Sequence, residues 1–209
     1  MKTIAVLAVG IFMAVASCAA SQAGVLVSPS LAYSPSGFQD NSTNYSRMID
    51  QSGLSNNFVD GFSDAEEFLS LSPTHANYVS GVSWVSPWNG GAGTASVAFI
   101  FSSSITIDRV IVWNAGTGYA ISGFDLYTSP DGNNFTYLAM FSLAQGDFAQ
   151  VCSFPAIEML GFRFQTTGVY SNRIGIGEVV AVSVPEPSVG MLVVGSLLCL
   201  AFFRIPRTS

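Results

Sequence analysis

Glu178 is the residue whose surroundings most need a chemical explanation. It stands in Ile174-Gly175-Ile176-Gly177-Glu178-Val179-Val180-Ala181-Val182, a run with the texture of a strand. Alternation along a strand sends it to the side of Ile174, Ile176, Val180 and Val182. A carboxylate among four apolar side chains is costly unless it is paired, protonated or bound to a metal. Three readings stay open: a hard cation, an arginine partner (Arg47 or Arg173), or a bulge that turns the side chain outward. The densest acidic stretch, Asp60-Gly61-Phe62-Ser63-Asp64-Ala65-Glu66-Glu67, lacks the glycine placement and terminal glutamate of a helix-flanked calcium loop, and reads as a solvated loop. Trp84-Val85-Ser86-Pro87-Trp88-Asn89 sets two indoles beside hydrogen-bonding side chains, and Pro87 disfavours a regular strand. One indole is expected in the core. The other, Trp88 beside Asn89, is expected to be exposed, where an indole can stack on a sugar ring, although such rings also plug the ends of cores.

Covalent and acid–base chemistry has little to work with. The chain holds one histidine, His75, which follows Pro73-Thr74 in a polar stretch and reads as a surface or structural residue. There is no Gly-x-Ser-x-Gly, no His/Cys metal spacing and no phosphate loop, and Gly90-Gly91-Ala92-Gly93 precedes a strand rather than a helix. Cys152 sits in an apolar run and reads as a buried, inert thiol. The chain is therefore expected not to be an enzyme. All 13 acidic residues fall between Gly24 and Pro187, against four arginines and no lysine, a formal charge of −9 for that segment. A surface of that sign repels nucleic acid and takes divalent cations as natural counter-ions.

The elements that must position these residues are short and β-like. Ser96 to Phe101, Ile105 to Trp113, Gly123 to Thr128, Phe135 to Leu143, Phe148 to Phe154, Leu160 to Thr166 and Ile174 to Val182 alternate or run apolar between turn residues. Ser129-Pro130-Asp131-Gly132-Asn133 has the turn chemistry of a hairpin. Gly24 to Gly93 reads as irregular, and no segment between the chain ends shows a helical period. The fold class expected is all-β, an antiparallel β-sandwich, over residues 24–183.

The order of these pieces resembles the discoidin or coagulation-factor C-type family, a galactose-binding-like jelly roll. The matching stretches are Met48-Ile49-Asp50-Gln51-Ser52-Gly53-Leu54, Trp84-Val85-Ser86, Ile107-Asp108-Arg109-Val110-Ile111-Val112-Trp113-Asn114, Gly123-Phe124-Asp125-Leu126-Tyr127-Thr128-Ser129-Pro130-Asp131-Gly132 and Ile176-Gly177-Glu178-Val179. The resemblance spans residues 40–182 and departs from the compact family pattern over 55–95. It implies a Ca²⁺ site completed by Glu178 and Asp50, and a non-catalytic module that binds carbohydrate or exopolysaccharide. A structural surface protein without a small ligand is the alternative.

Both chain ends carry the marks of export. Lys2, the uncharged run Ile4–Ala16 and the small residues through Ala23 form the three regions of a signal peptide, residues 1–23, with a mature start at Gly24. Val15-Ala16-Ser17-Cys18 also resembles a lipoprotein signal that would acylate Cys18. At the other end, residues 184–209, Pro185-Glu186-Pro187 precedes an uncharged run from Val189 to Phe203, then Arg204 and Arg207. A helix over that run spans roughly 23 Å against a hydrocarbon core of about 30 Å, enough for a transient anchor, with the arginines cytoplasmic. This order resembles the PEP-CTERM sorting signal of Gram-negative envelope proteins. It implies an exosortase-type membrane protease as partner, cleavage near Pro185-Glu186-Pro187, and delivery to the cell envelope, outer surface or medium. A plain single-span tail anchor is the alternative.

Overall fold

Ser102-Ser103-Ser104 looks like a break between two strands, yet the chain runs straight through it. In the computed structural model, which describes residues 24–35, 44–77, 81–86, 94–171 and 173–184, Ser96–Asn114 is one 19-residue strand, β4. Its partner β7, Gln150–Val169, is one residue longer, at 20. The two pair antiparallel from Ser96 opposite Gln165 to Val112 opposite Gln150, with register shifts at 100/105 and 107/109. The three serines are exposed there, and Pro155 of β7 falls opposite the second shift, where a missing N–H breaks no regular ladder. This bent ribbon carries both layers of the sandwich.

The remaining strands are β1 (Val25–Val27), β2 (Leu31–Tyr33), β3 (Trp84–Val85), β5 (Ile121–Ser129), β6 (Thr136–Ser142) and β8 (Gly175–Ser183). The order is β1-β8-β4-β7-β5-β6, with β2 also on β4 and β3 on β8. One layer joins β6, β5, the second half of β7, the first half of β4, and β2. The other joins the first half of β7, the second half of β4, β8, β1 and β3. The chain is an antiparallel β-sandwich. Between the layers, Phe99, Phe124, Phe162 and Phe164 meet Val110, Val112, Val179 and Ala181, with Phe124 and Phe164 stacked at 3.9 Å between centroids.

A second apolar cluster lies outside the β8 layer. Leu26, Ile111, Trp113, Val180 and Val182 are covered there by Phe58, Ala65 and Phe68. Phe68 belongs to the one α-helix among the described residues, α1 (Ala65–Ser70). This corrects the expectation of an irregular stretch without helix. Asp64 caps α1 by accepting the Glu67 N–H at 2.8 Å, a capping arrangement with Glu66 and Glu67 favourably placed in the first turn. Glu66 pairs with Arg109 and Asp60 accepts the Ser28 N–H, while Asp60, Glu66 and Glu67 stay exposed, so the acidic stretch is a solvated face built on a capped helix rather than a loose loop. Cys152 is buried, and burial pushes its thiol up to about 12.

Candidate functional site

The site around Glu178 begins with a bulge. Trp113 of β4 pairs with Glu178, but the next residue, Asn114, pairs with Ile176, leaving Gly177 as the extra residue on β8. A bulge of this kind reverses the alternation. Glu178 therefore shares the outer face with Val180 and Val182, while Ile176 and Ile174 turn into the core between the layers. The even parity expected along 174–182 holds only past the bulge. Glycine is required at 177 because a Cβ would sit 2.7 Å from the His75 ring and 2.9 Å from the Asn114 carbonyl.

Over Glu178 lies the turn that follows the 3-10 segment Tyr45–Met48. Gln51 takes the left-handed region, φ 60, and Gly53 φ 105. That bend aims the Gln51 N–H at Glu178 Oε2, 3.1 Å away. Asp50 on the same turn accepts the Ser52 N–H at 2.9 Å through Oδ1 and meets Arg47 at 3.1 Å through Oδ2. His75 closes the turn from below, fully buried, with its ring nitrogens against the carbonyls of Ala76 (2.9 Å) and Ser52 (3.2 Å).

Glu178 is completely buried, and Oε1 has no hydrogen-bond partner. Burial pushes its carboxyl well above the ordinary range; the Gln51 N–H opposes this, and the nearby Asp50 charge adds to it. His75 moves the other way: burial lowers it, against the carbonyls of Ala76, Ser52 and Val82. Neither arginine considered as a partner reaches Glu178. Arg47 goes to Asp50, and Arg173 donates through Nε to the Ser86 carbonyl at 2.8 Å. The outward-turned reading also fails, because the bulge carries the carboxylate under the turn and not into solvent.

The fold thus sets Glu178 beneath the turn that carries Asp50 and adds Ser52, whose Oγ is likewise buried without a partner. Two orphaned oxygens and a neighbouring carboxylate are oxygen donors of the kind a hard cation of calcium size collects. Among the described residues no three His, Cys, Asp or Glu side chains converge, so a cation here would draw its remaining ligands from backbone carbonyls. Gln51, Ser52 and His75 were not legible as parts of this site; Gly53 was the available signal, a glycine ending an otherwise polar run.

At the same end of the sandwich the connecting segments converge into a crown. His75 N donates to the Asp147 carbonyl at 2.7 Å, Gln145 Nε2 to Thr117 at 2.7 Å and the Tyr170 hydroxyl to Leu143 at 2.8 Å. Arg173 lies 5.4 Å from the centre of the Tyr119 ring. Tyr170 and Phe148 stay exposed on this crown. Trp84 is fully buried and stacked on Tyr45 at 5.6 Å, as expected of one of the two indoles. Trp88 and Asn89 lie outside the described residues, two and three positions beyond Ser86, whose carbonyl Arg173 holds within the crown. The sorting-motif residues Pro185, Glu186 and Pro187 and the signal and tail segments also lie outside them. Among the described residues no helix is long and apolar enough to cross a membrane.

No family model matches the chain, and no curated protein matches it. Solved structures do resemble it. A CBM32 module from a family 31 glycoside hydrolase of Clostridium perfringens superposes with a TM-score of 0.53 at 11% identity, over 78% of this chain and 96% of that one. A chitosan-binding module from a Paenibacillus sp. IK-5 chitosanase/glucanase gives 0.49 at 18% identity, over 74% and 95%. A CBM32 module of a C. perfringens family 89 enzyme, in complex with GalNAc-β-1,3-galactose, gives 0.45 at 15% identity, over 47% and 73%. Only the first likeness is close enough to speak to the fold, and it speaks to fold alone.

Proposed function

We propose that this chain is an exported, non-catalytic carbohydrate-binding protein whose crown of loops takes a sugar. The observation that carries the reading is a sandwich with the fold of a carbohydrate-binding module and two exposed aromatics, Tyr170 and Phe148, on the loops at one pole. Function does not follow from fold, so the weight falls on the crown. Tyr170, Phe148 and the proposed Trp88 offer apolar faces for sugar rings, and Asn89 with the loop carbonyls offers hydrogen bonds. Catalysis has no support among the described groups: His75 is buried against carbonyls, Cys152 is a buried thiol, and Glu178 is sealed under the 50–53 turn.

Ca²⁺, in this reading, sits at the turn and holds the base of the crown. Asp50, Ser52 and Glu178 would ligate it, and its charge would offset the buried carboxylate. Export by the 1–23 signal, sorting by Pro185-Glu186-Pro187 through an exosortase-type protease, and delivery to the envelope or medium complete the proposal. A glycan array probed with the purified protein tests the function. Retention on one sugar class, lost in Trp88→Ala, supports it. A blank array from folded protein overturns it and leaves a structural surface protein.

A further inference from the structure

Four arginines lie among the described residues, and three have acceptors. Arg47 meets Asp50, Arg109 meets Asp108 and Glu66, and Arg173 meets the Ser86 carbonyl. Arg163 has none: no carboxylate lies within ion-pair distance among the described residues, and its Nε is buried without a hydrogen bond. What holds it instead is aromatic. The guanidinium carbon lies 4.3 Å from the centre of the Tyr127 ring and 5.2 Å from that of Phe135. Charge is attracted to those ring faces while its N–H edge stays uncommitted.

The register shows where this group sits. Tyr137, Tyr127, Arg163, Ala98 and Tyr33 form one row across β6, β5, β7, β4 and β2. Their neighbours Leu126, Phe162 and Phe164 point into the core, so the row belongs to the outer face of that layer. Tyr137 is 54% exposed and stands edge-on to Tyr127, 5.6 Å between centroids and 79° between planes. In the next row Asp125 faces Gln165. The turn that presents Phe135 is clamped by Asp131, whose carboxylate accepts from Ser129 Oγ and from the backbone N–H groups of Asn133 and Asn134. Those bonds, with Asn134 first, hold the Asp131 carboxyl well below the usual range. The slot is therefore pre-shaped.

A guanidinium that is oriented, half-desolvated and without a counter-ion suits one planar anion, because its fork matches the two oxygens of a carboxylate. We propose that the outer face of β5, β6 and β7 is a second binding surface, separate from the crown, for a sugar residue bearing a carboxylate. The carboxylate meets Arg163, the sugar ring lies against Tyr137, and the ring hydroxyls reach Asp125 and Gln165. The formal charge of −9 over Gly24–Pro187 narrows the ligand further. It repels densely charged polymers, so the match is a uronate spaced among neutral sugars, one charge per contact.

The test is calorimetric titration of the full protein with a glucuronate-terminated disaccharide, its neutral glucose counterpart and a sulfated counterpart. The acidic sugar is expected to bind at least tenfold more tightly than the neutral one. Arg163→Gln and Tyr137→Ala should each weaken it at least tenfold with the melting temperature checked in parallel, and Arg163→Lys should restore only part. Equal affinity for acidic and neutral sugars, no binding by folded protein, or an Arg163→Gln variant that binds as wild type would overturn the proposal. Equal binding of the sulfated sugar would overturn the carboxylate assignment.

Discussion

Replacing Glu178 with glutamine gives a test whose sign and size follow from the buried turn. In chelator the wild-type carboxyl is pushed above its unfolded value near 4.5, so the folded state binds more protons than the unfolded chain. The stability this contributes is full below that unfolded value and is lost as pH rises through the folded value. One proton of difference gives a slope of at most about 1.36 kcal/mol per pH unit. His75 works in the opposite sense: its folded value is lowered, so its contribution is present above about 6.5 and lost as pH falls through the folded value. Comparing wild type with Glu178→Gln at each pH cancels most of the His75 contribution and leaves that of Glu178. Over two pH units above 4.5 the difference in unfolding free energy should shift in favour of the variant by up to about 2.7 kcal/mol, measured by urea denaturation in chelator. For a domain of this size that is roughly 5–10 °C in melting temperature. Adding Ca²⁺ should raise wild-type stability, by about 2.7 kcal/mol at a hundredfold excess over Kd, flatten its pH dependence, and leave the variant unmoved. Parallel pH curves for wild type and variant in chelator would refute the buried-carboxylate reasoning. A wild-type curve indifferent to Ca²⁺ would refute the metal.

Other outcomes test other parts of the molecule. Trp84→Ala should cost about 3–5 kcal/mol in urea denaturation, the usual effect of emptying a large core site, whereas Trp88→Ala should leave the midpoint nearly unchanged and weaken polysaccharide retention. Gly177→Ala forces a methyl onto the His75 ring and the Asn114 carbonyl; it should destabilise by about 1–3 kcal/mol, and a neutral midpoint would contradict the bulge. Intact-mass measurement on envelope material should find a chain lacking Met1–Ala23 and the run after Pro187, while a lipid mass on Cys18 would show lipoprotein processing instead.

Apolar alternation made the strands legible, but not their continuity. Ser102-Ser103-Ser104 interrupts the apolar pattern of β4, and Pro155 does the same for β7, because those are the places where the ribbon bends from one layer to the other. A periodicity argument sees only the interruption. α1 was missed for a related reason: six residues are too few to show a helical period, although Asp64 and Glu67 spell its cap. Glu178 stood out because burial of a lone carboxylate can be read from its neighbours, and Cys152 for the same reason. The bulge at Gly177 could not be read, since it is defined by what β4 does opposite. The row containing Arg163 was equally hidden, being assembled from residues on five strands whose registers no single segment encodes.

The pairing of β1 with β8 has a consequence for how the protein is presented. Val25 lies opposite Ser183, and β8 begins at Gly175 beside the crown. Gly24 and Val184 therefore leave the sandwich side by side, one strand length away from the crown, about 30 Å for the nine residues of β8. Whatever grips the chain beyond either point, both leashes pull from the same footing. A surface that held either end would therefore lie at the pole opposite the crown, with the crown facing away from it and the Tyr137–Arg163 face at the side.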